Sequence, residues 1–587
     1  MLGRRRQLDL SSPGEADASP AADRAHHDAD EERLRALLIG RGLVTQEQVE
    51  EAVRQNNGSG TPLGTLLAEA GLVDEHSIVD VLSDELQLPI ADLRQVTPEP
   101  AALDLLPESA ARTRLALPLR LEDGHVDIAA AAPSQQLEVL LAGQTGKKVR
   151  FQVAAPSELR RAIDRHYRAL GGIGQLVQAF EALEGQRRRT GATPDALVTA
   201  DEAPVIRLCN LILTQGLRDR ASDIHIEPQD DSLRVRFRVD GALHDVVTLP
   251  ADLGPGLVSR IKIMAGMNIV ERRRPQDGQL TADLDGKSVD VRVSTVATIW
   301  GEKCVMRLLD KTRSLLKFGD LGMPFETHEQ FSKMMRAPFG MVICAGPTGS
   351  GKTTTLYATL SEINEPFRNI MTIEDPVEYV FPLINQIQTN EQAGLTFATG
   401  LRSILRQDPD VILVGEVRDV ETARIAVQSA LSGHFVLSSL HATDSVSALH
   451  RFLDMGIESF LISSSVIGVV GQRLVRRSCR FCKVPYEPTD EELAFYQESG
   501  GPPKDVFYRG DGCNFCAGTG FHDRIGVFEL LRITTEIKRL IVGWATQDEL
   551  RRLAQQQGMR TLRQEAIELV VNDVTTIGEV IRSIYAL

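Results

Sequence analysis

The sequence predicts a multidomain α/β protein, and three observations carry that prediction. Its 587 residues suffice for roughly three to five domains of about 150 residues each. A short apolar run, Met341-Val-Ile-Cys-Ala345, leads through a glycine-rich stretch, 346–353, into Thr354-Thr-Leu-Tyr-Ala-Thr-Leu360, which reads as strand, loop and helix. Two more apolar runs, Val411-Ile-Leu-Val414 and Phe435-Val-Leu-Ser-Ser-Leu440, read as buried strands closed by polar residues.

Composition narrows the class. The chain has 65 basic and 80 acidic residues, a net charge of −15, which argues against a general nucleic-acid binder. No apolar run of about 18 residues predicts a membrane-spanning helix. The start, Met1-Leu-Gly-Arg-Arg-Arg6, is charged but has no apolar region behind it, so it is not read as a secretory signal. Of seven cysteines, four form two C-x-x-C pairs, which points to metal in a reducing cytosol.

Residues 1–31 are rich in Ser, Pro, Ala, Asp and His and are expected to be a disordered tail. An internal repeat fills 32–95. Leu34, Leu38, Gly42, Leu43, Val44, Val49 and Val53 recur 29 residues later as Leu63, Leu67, Gly71, Leu72, Val73, Ile78 and Leu82. Each copy reads as helix, Gly-Leu-Val turn, helix. Residues 96–168 mix strand and helix signals, with a hairpin expected across Ala116–Leu121 and His125–Ile128. Residues 169–200, with Gly171-Gly172 and Arg187-Arg-Arg-Thr-Gly191, read as a linker. A second α+β domain is expected over 201–320. Its Leu233-Arg-Val-Arg-Phe-Arg-Val-Asp-Gly241 alternates strictly and predicts a strand with one basic face; Asp290–Thr295 and Cys304–Leu309 predict further strands. A phosphate-loop domain follows at 325–475, a cysteine-bearing insert at 476–525 and a mostly helical region at 526–587.

The chemistry centres on Gly346-Pro347-Thr348-Gly349-Ser350-Gly351-Lys352-Thr353, which fits G-x-x-x-x-G-K-[ST]. The glycines let successive backbone N–H groups converge on a polyphosphate, and the helix N-terminus adds its dipole. Lys352 supplies charge to the outer phosphates, Thr353 Oγ1 can ligate Mg²⁺, and Thr354 continues the binding loop. Met371-Thr-Ile-Glu-Asp-Pro-Val-Glu378 and Asp408-Pro-Asp-Val-Ile-Leu-Val-Gly-Glu416 are strands ending in carboxylates. Gly433-His434 and Leu440-His441 flank the third strand. Ligands collect at the carboxyl ends of such strands.

These stretches, together with Ala221-Ser-Asp-Ile-His-Ile-Glu227, Arg236-Phe-Arg-Val-Asp-Gly241 and Pro275-Gln-Asp-Gly278, resemble the secretion ATPase superfamily over roughly 200–585. The similarity is closest to its GspE/PulE/PilB branch of type II secretion and type IV pilus assembly ATPases. The resemblance implies a RecA-like motor domain preceded by a PAS-like α+β domain. It implies ATP and Mg²⁺ held by Lys352, Thr353 and Glu416, with Glu378 and Glu416 both candidates for polarising water. His441 would contact the γ-phosphate region. Arg236 and Arg238 would act as arginine fingers from the preceding domain, with Arg402 and Arg406 in support. It further implies a homohexamer at the cytoplasmic face of the inner membrane, driving a GspF/PilC-like platform protein beside a cytoplasmic or membrane docking protein. Ser439 and Ala442-Thr-Asp444 depart slightly from the family pattern.

Cys479, Cys482, Cys513 and Cys516 are two knuckles that four-coordinate Zn²⁺ would close into a structural site. A redox motif and a nucleic-acid-binding ribbon are the alternatives, the latter opposed by the acidic residues of the insert. In the resembled branch this module accompanies extension or secretion. Cys209, Cys304 and Cys344 are expected in the core.

The 32–95 repeat resembles the MshE N-terminal domain, which binds cyclic di-GMP. Here Arg35 stands where that pattern has Gly, Pro62 where it has Arg, and Glu85 where it has Gln. A docking or scaffold role competes with dinucleotide binding. For the whole chain, a DNA-uptake or conjugation-type motor and a non-hydrolysing nucleotide-binding adaptor are the rival readings. The missing aromatic–basic stripe opposes the first, and the intact Glu378 and Glu416 oppose the second.

Overall fold

The computed structural model describes residues 34–55, 63–167, 177–178, 180, 204–284, 287–310 and 318–584. The expected tail at 1–31 and nearly all of the expected linker lie outside the described residues. The chain divides into two compact units: residues 1–310 with 512–518, and residues 311–511 with 519–587.

In the first unit the repeat's helices form, but of its expected apolar positions Leu43 and Val53 are exposed, whereas Leu82, the counterpart of Val53, is buried. Helices Gln46–Gln55, Leu63–Glu69 and Glu75–Leu86 share one core of Leu38, Val44, Val49, Leu67, Val73, Ile78 and Leu82. The equivalent turn glycines, Gly42 (φ 72°) and Gly71 (φ 67°), are both left-handed, the conformation that only glycine adopts cheaply. Next come β1 (Ala116–Glu122), β2 (His125–Ala130) and β3 (Lys148–Val153). β1 and β2 are the expected hairpin, and β3 joins β2 in parallel.

The α+β domain opens with α1 (Pro204–Arg218) and continues through β4 (Asp223–Pro228), β5 (Ser232–Val239), β6 (Ala242–Pro250), α2 (Leu253–Met264), β7 (Gln276–Leu284), β8 (Lys287–Thr298) and β9 (Gly301–Asp310). The antiparallel sheet has the order β6-β5-β4-β9-β8-β7. Its alternate residues Ile224, Ile226, Val235, Phe237, Cys304 and Met306 are buried with Leu208, Cys209 and Ile212 of α1. The strict alternation of β5 therefore leaves its arginines on the opposite face.

The second unit is built on β10 (Gly340–Ala345), α3 (Lys352–Ile363), β11 (Ile370–Glu374), β12 (Ile384–Gln388), α4 (Phe397–Ile404), β13 (Val411–Val414), α5 (Val420–Leu431), β14 (Phe435–Leu440), α6 (Ser445–Asp454) and β15 (Val466–Ser478). β16 (Lys483–Tyr486) and β17 (Phe507–Gly510) form a small hairpin, and β18 (Phe521–Arg532), α7 (Gln547–Gln556) and α8 (Leu562–Val571) follow. The main sheet has the order β12-β11-β13-β14-β10-β15-β18, parallel except for β18. One face packs Met341, Ile343, Ile412, Val414 and Val436; the other packs Val342, Cys344, Val411, Leu413 and Leu437. Burial on both faces explains why β10 and β13 read as unbroken apolar runs and why the only polar residues inside β14 are two small serines. The strands β15 and β18 run past residues 475 and 526, where the sequence suggested domain boundaries. No described helix is long and apolar enough to cross a membrane.

Candidate nucleotide and metal sites

The strand order places β13, β14, β10 and β15 side by side, so their carboxyl ends form one edge. The phosphate loop leaves β10 there, and Gly346 N–H donates to Leu440 O of β14 at 3.2 Å. A Cβ on Gly346 would come within 2.6 Å of Gln472 O of β15, so glycine is required for this approach. Lys352 opens α3 with its side chain folded across the loop, donating to Gly346 O and Pro347 O at 2.9 Å each. Burial lowers its pKa. Ser350 Oγ is buried without a hydrogen-bond partner among the described residues; a phosphate oxygen is a fitting acceptor for such a group. Thr353 and Thr354 lie exposed on the first turn of α3.

Glu416 lies two residues beyond β13, and its side chain is 15% exposed. His441 follows β14 directly, and its Nε2 lies 3.2 Å from Glu416 Oε2. Glu416 is also near enough to Lys352 for its charge to favour the ammonium form. Lys352, Glu416 and His441 are thus brought together as the strand pattern predicts. Glu416 is also paired with Arg418, whose Nη1 lies 3.6 Å from Asp375.

Glu378 sits four residues past the end of β11, and its N–H donates to Tyr357 Oη at 3.1 Å. Tyr357 in turn donates to Glu374. Glu374 is buried and also accepts from Thr372 Oγ1 at 2.6 Å and Gln386 Nε2 at 3.2 Å. All three donors are neutral. Arg402 pairs with Glu421 at 2.5 Å, and Arg406 donates to Arg402 O at 3.0 Å; both are exposed on or just after α4.

In the first unit, the polar face of the α+β sheet is a lattice of charges. Arg236 makes a two-pronged pair with Glu227, 2.9 Å on each arm. Lys303 reaches the same carboxylate at 2.8 Å. The paired cations hold Glu227 well below the usual carboxylate range, down to about 2, although burial opposes this. Arg238 donates to Gly241 O at 3.0 Å and shares Asp223 with Arg307, at 3.8 and 2.9 Å respectively. Arg292 and Arg307 stand opposite each other across β8 and β9, a like-charged pairing that ordinary sheets avoid.

The four cysteines of the two C-x-x-C pairs form one cluster, with all sulfurs within 4.8 Å of one another. Cys513 and Cys516 Sγ are 3.8 Å apart, close to the sulfur spacing of about 3.8 Å that Zn–S bonds of ~2.3 Å impose on a tetrahedron. Cys513 N–H donates to Cys516 Sγ at 3.1 Å, which stabilises a thiolate. The residues fit zinc. Cys209, Cys304 and Cys344 are buried, and burial pushes the Cys209 and Cys344 thiols up to about 12.

The family model for type II/IV secretion system proteins matches residues 198–582. The chain belongs to the type II/IV secretion system protein family. The type IV pilus assembly ATPase PilB of Myxococcus xanthus is 39% identical over 557 residues, which covers 94% of this chain and 98% of that protein. Type II secretion system protein E of Xanthomonas campestris is 40% identical over 561 residues, with the same coverage of both chains. Type II secretion system protein HxcR of Pseudomonas aeruginosa is 46% identical over 428 residues, covering 72% of this chain and 87% of its own. An MshEN domain model matches residues 86–173, the three-stranded α/β segment, whereas the helical repeat lies at 32–95.

In this family member, sequence reasoning missed Arg418, Gln472 and Arg473. Arg418 is two positions from Glu416 on the loop that leaves β13 and could have been found from that spacing. Gln472 underlies the phosphate loop, with Oε1 accepting from Thr355 Oγ1 at 2.9 Å. Arg473 donates to Thr443 O at 3.0 Å. Neither carries a motif of its own; only the adjacency of β15 to β10 identifies them.

Proposed function

We propose that this chain is an ATP-hydrolysing motor that powers assembly of a type IV pilus or of a type II secretion pseudopilus. The observation that carries the proposal is the row of Lys352, Glu416 and His441 along one sheet edge, behind a phosphate loop. Gly346 to Thr354 would bind the polyphosphate, and Thr353 and Glu416 would hold Mg²⁺, which supplies charge stabilisation to the transferring phosphoryl group. Glu416 or Glu378 would polarise the attacking water; Glu416 is the one within hydrogen-bond reach of His441.

The arginine face of the α+β domain would supply further countercharge to the phosphates. Arg236 must first exchange Glu227 for phosphate, whereas Arg238 and Arg307 share a single carboxylate and are more readily recruited. ATP binding would draw this domain onto the motor and hydrolysis would release it. The working form would be a homohexamer at the cytoplasmic face of the inner membrane, pushing on a platform protein, with a docking protein at its N-terminal module.

Purified protein should release phosphate from ATP only with Mg²⁺ present, at a rate that single-stranded DNA leaves unchanged. No Mg²⁺-dependent release would sink the motor reading, and severalfold stimulation by DNA would favour the nucleic-acid motor. The N-terminal module is proposed to dock a protein, because Pro62 and Glu85 replace an expected cation and an expected amide. Calorimetric titration with cyclic di-GMP should accordingly give no heat at high micromolar ligand; saturable heat would make the module a dinucleotide sensor.

A further inference from the structure

The segment following His441 is held from behind by a residue the motor reading does not use. Glu529 lies on β18 and is 3% exposed. It pairs in register with Gly471 of β15, which pairs with Ala345 of β10, which pairs with Leu440 of β14. Ala345 immediately precedes the phosphate loop and Leu440 immediately precedes His441. Glu529 thus stands in the cross-sheet row on which both nucleotide-facing segments begin.

Its two oxygens reach two different helices. Oε1 accepts from Ser445 N–H at 3.0 Å and from Ser445 Oγ–H; Oε2 accepts from Leu562 N–H at 3.2 Å. Ser445 is the first residue of α6 and Leu562 the first residue of α8. Both amides are helix-terminal donors with no partner inside their own helix, and a carboxylate suits both helix N-termini. Gly471 makes the approach possible, since a Cβ there would sit 3.0 Å from Ser445 N.

None of Glu529's hydrogen-bond partners is a cation. Burying a carboxylate among neutral donors costs more than burying an apolar side chain of similar size. What this carboxylate supplies is the simultaneous hold on two helix starts. A second link runs parallel to it: Arg551 of α7 pairs with Asp444 at 2.9 Å, and Asp444 caps α6 through Ser447 N–H at 2.8 Å.

We propose that Glu529 is a positioning residue for nucleotide cleavage. By joining the first turns of α6 and α8, it ties the His441 segment to the C-terminal helices, so that movement of those helices reaches the nucleotide site. This inference rests on the ATPase reading for its catalytic consequence but not for the tie itself.

The test is Glu529→Gln in the full chain. A glutamine can accept from one side only, and its NH₂ then faces the N–H on the other. We expect kcat to fall about ten- to a hundredfold, as misplacement of a reacting group by about an ångström does, while KM for ATP moves less than about threefold. Amides of 442–447 and 562–565 should exchange faster with solvent deuterium. Arg551→Ala should cost less, and the two losses should not multiply in the double variant. Turnover within twofold of the unsubstituted chain would overturn the proposal. So would a parallel loss of kcat, ATP binding and melting temperature, because that is the pattern of partial unfolding. If the unsubstituted chain hydrolyses no ATP, the motor reading fails separately. The exchange measurement then decides: faster exchange at both helix starts supports the tie, and unchanged exchange overturns it.

Discussion

Lys352→Ala should reduce ATP turnover to background, a loss of at least about 10²–10³-fold if its ammonium is worth as much as one preorganised donor to a developing negative charge. The side chain is buried and donates to Gly346 O and Pro347 O, which holds its ammonium against the phosphate loop. Arg418, another of the site's cations on the loop after β13, already pairs with Glu416 and Asp375. Glu416→Gln should separate binding from chemistry. It keeps the size of the side chain and a contact to His441 but removes the charge that would hold Mg²⁺ under the proposed function, so nucleotide should still bind while turnover falls. Phosphate release and a fluorescent-nucleotide titration on both variants measure this. More than about a tenth of the original turnover in Lys352→Ala would remove the assignment of the phosphate loop as the catalytic site.

The parts of this site legible in the sequence are those in which local pattern and position coincide. A buried parallel strand carries no charge in its interior, and its few polar residues are small and paired, as Ser438 and Ser439 are with Val414 O and Gly415 O, so the first ionisable residue after it marks the sheet edge. That rule finds Glu416 after Val411–Val414 and His441 after Phe435–Leu440, and the glycine spacing finds Lys352. The rule also marks Glu374, but Tyr357, Thr372 and Gln386 bury that carboxylate in a network of neutral donors. Tyr357 and Gln386 come from other elements, so the strand alone does not reveal that this carboxylate is buried and hydrogen-bonded. The alternation of β5 places Arg236 and Arg238 on one face. Their partners depend on register: Glu227 lies opposite Arg234 yet binds Arg236 diagonally. Glu529 was out of reach for the same reason. Its two partners lie 84 and 33 residues away, and no spacing in the sequence announces either.

Removal of zinc should unfold the cysteine module while leaving the core of the motor sheet intact. β16 and β17 are four residues each, too short for a hairpin to persist unaided in water. The module's apolar contacts, among them Tyr486, Phe495, Tyr496 and Phe507, belong to a cluster that also includes Val475, Val527 and residues of α8. The hairpin itself relies on backbone bonds beside the cysteines: Cys479 N–H to Gly520 O at 2.8 Å and Asp511 N–H to Cys482 O at 2.9 Å. Structural zinc contributes about 10–16 kcal/mol of binding energy in small zinc-finger peptides at neutral pH. Four thiolates brought together without the ion would repel one another. Purified protein should carry one zinc per chain by elemental analysis. Strong chelation, or Cys482→Ser, should open protease sites within 480–520 and fray β15 and β18 beyond Arg476, where that strand leaves the motor sheet's core. The strands β10, β13 and β14, buried on both faces, should resist until a later transition. Metal-free protein with an unchanged protease pattern would make the cysteine cluster a packing feature and end its reading as a zinc site.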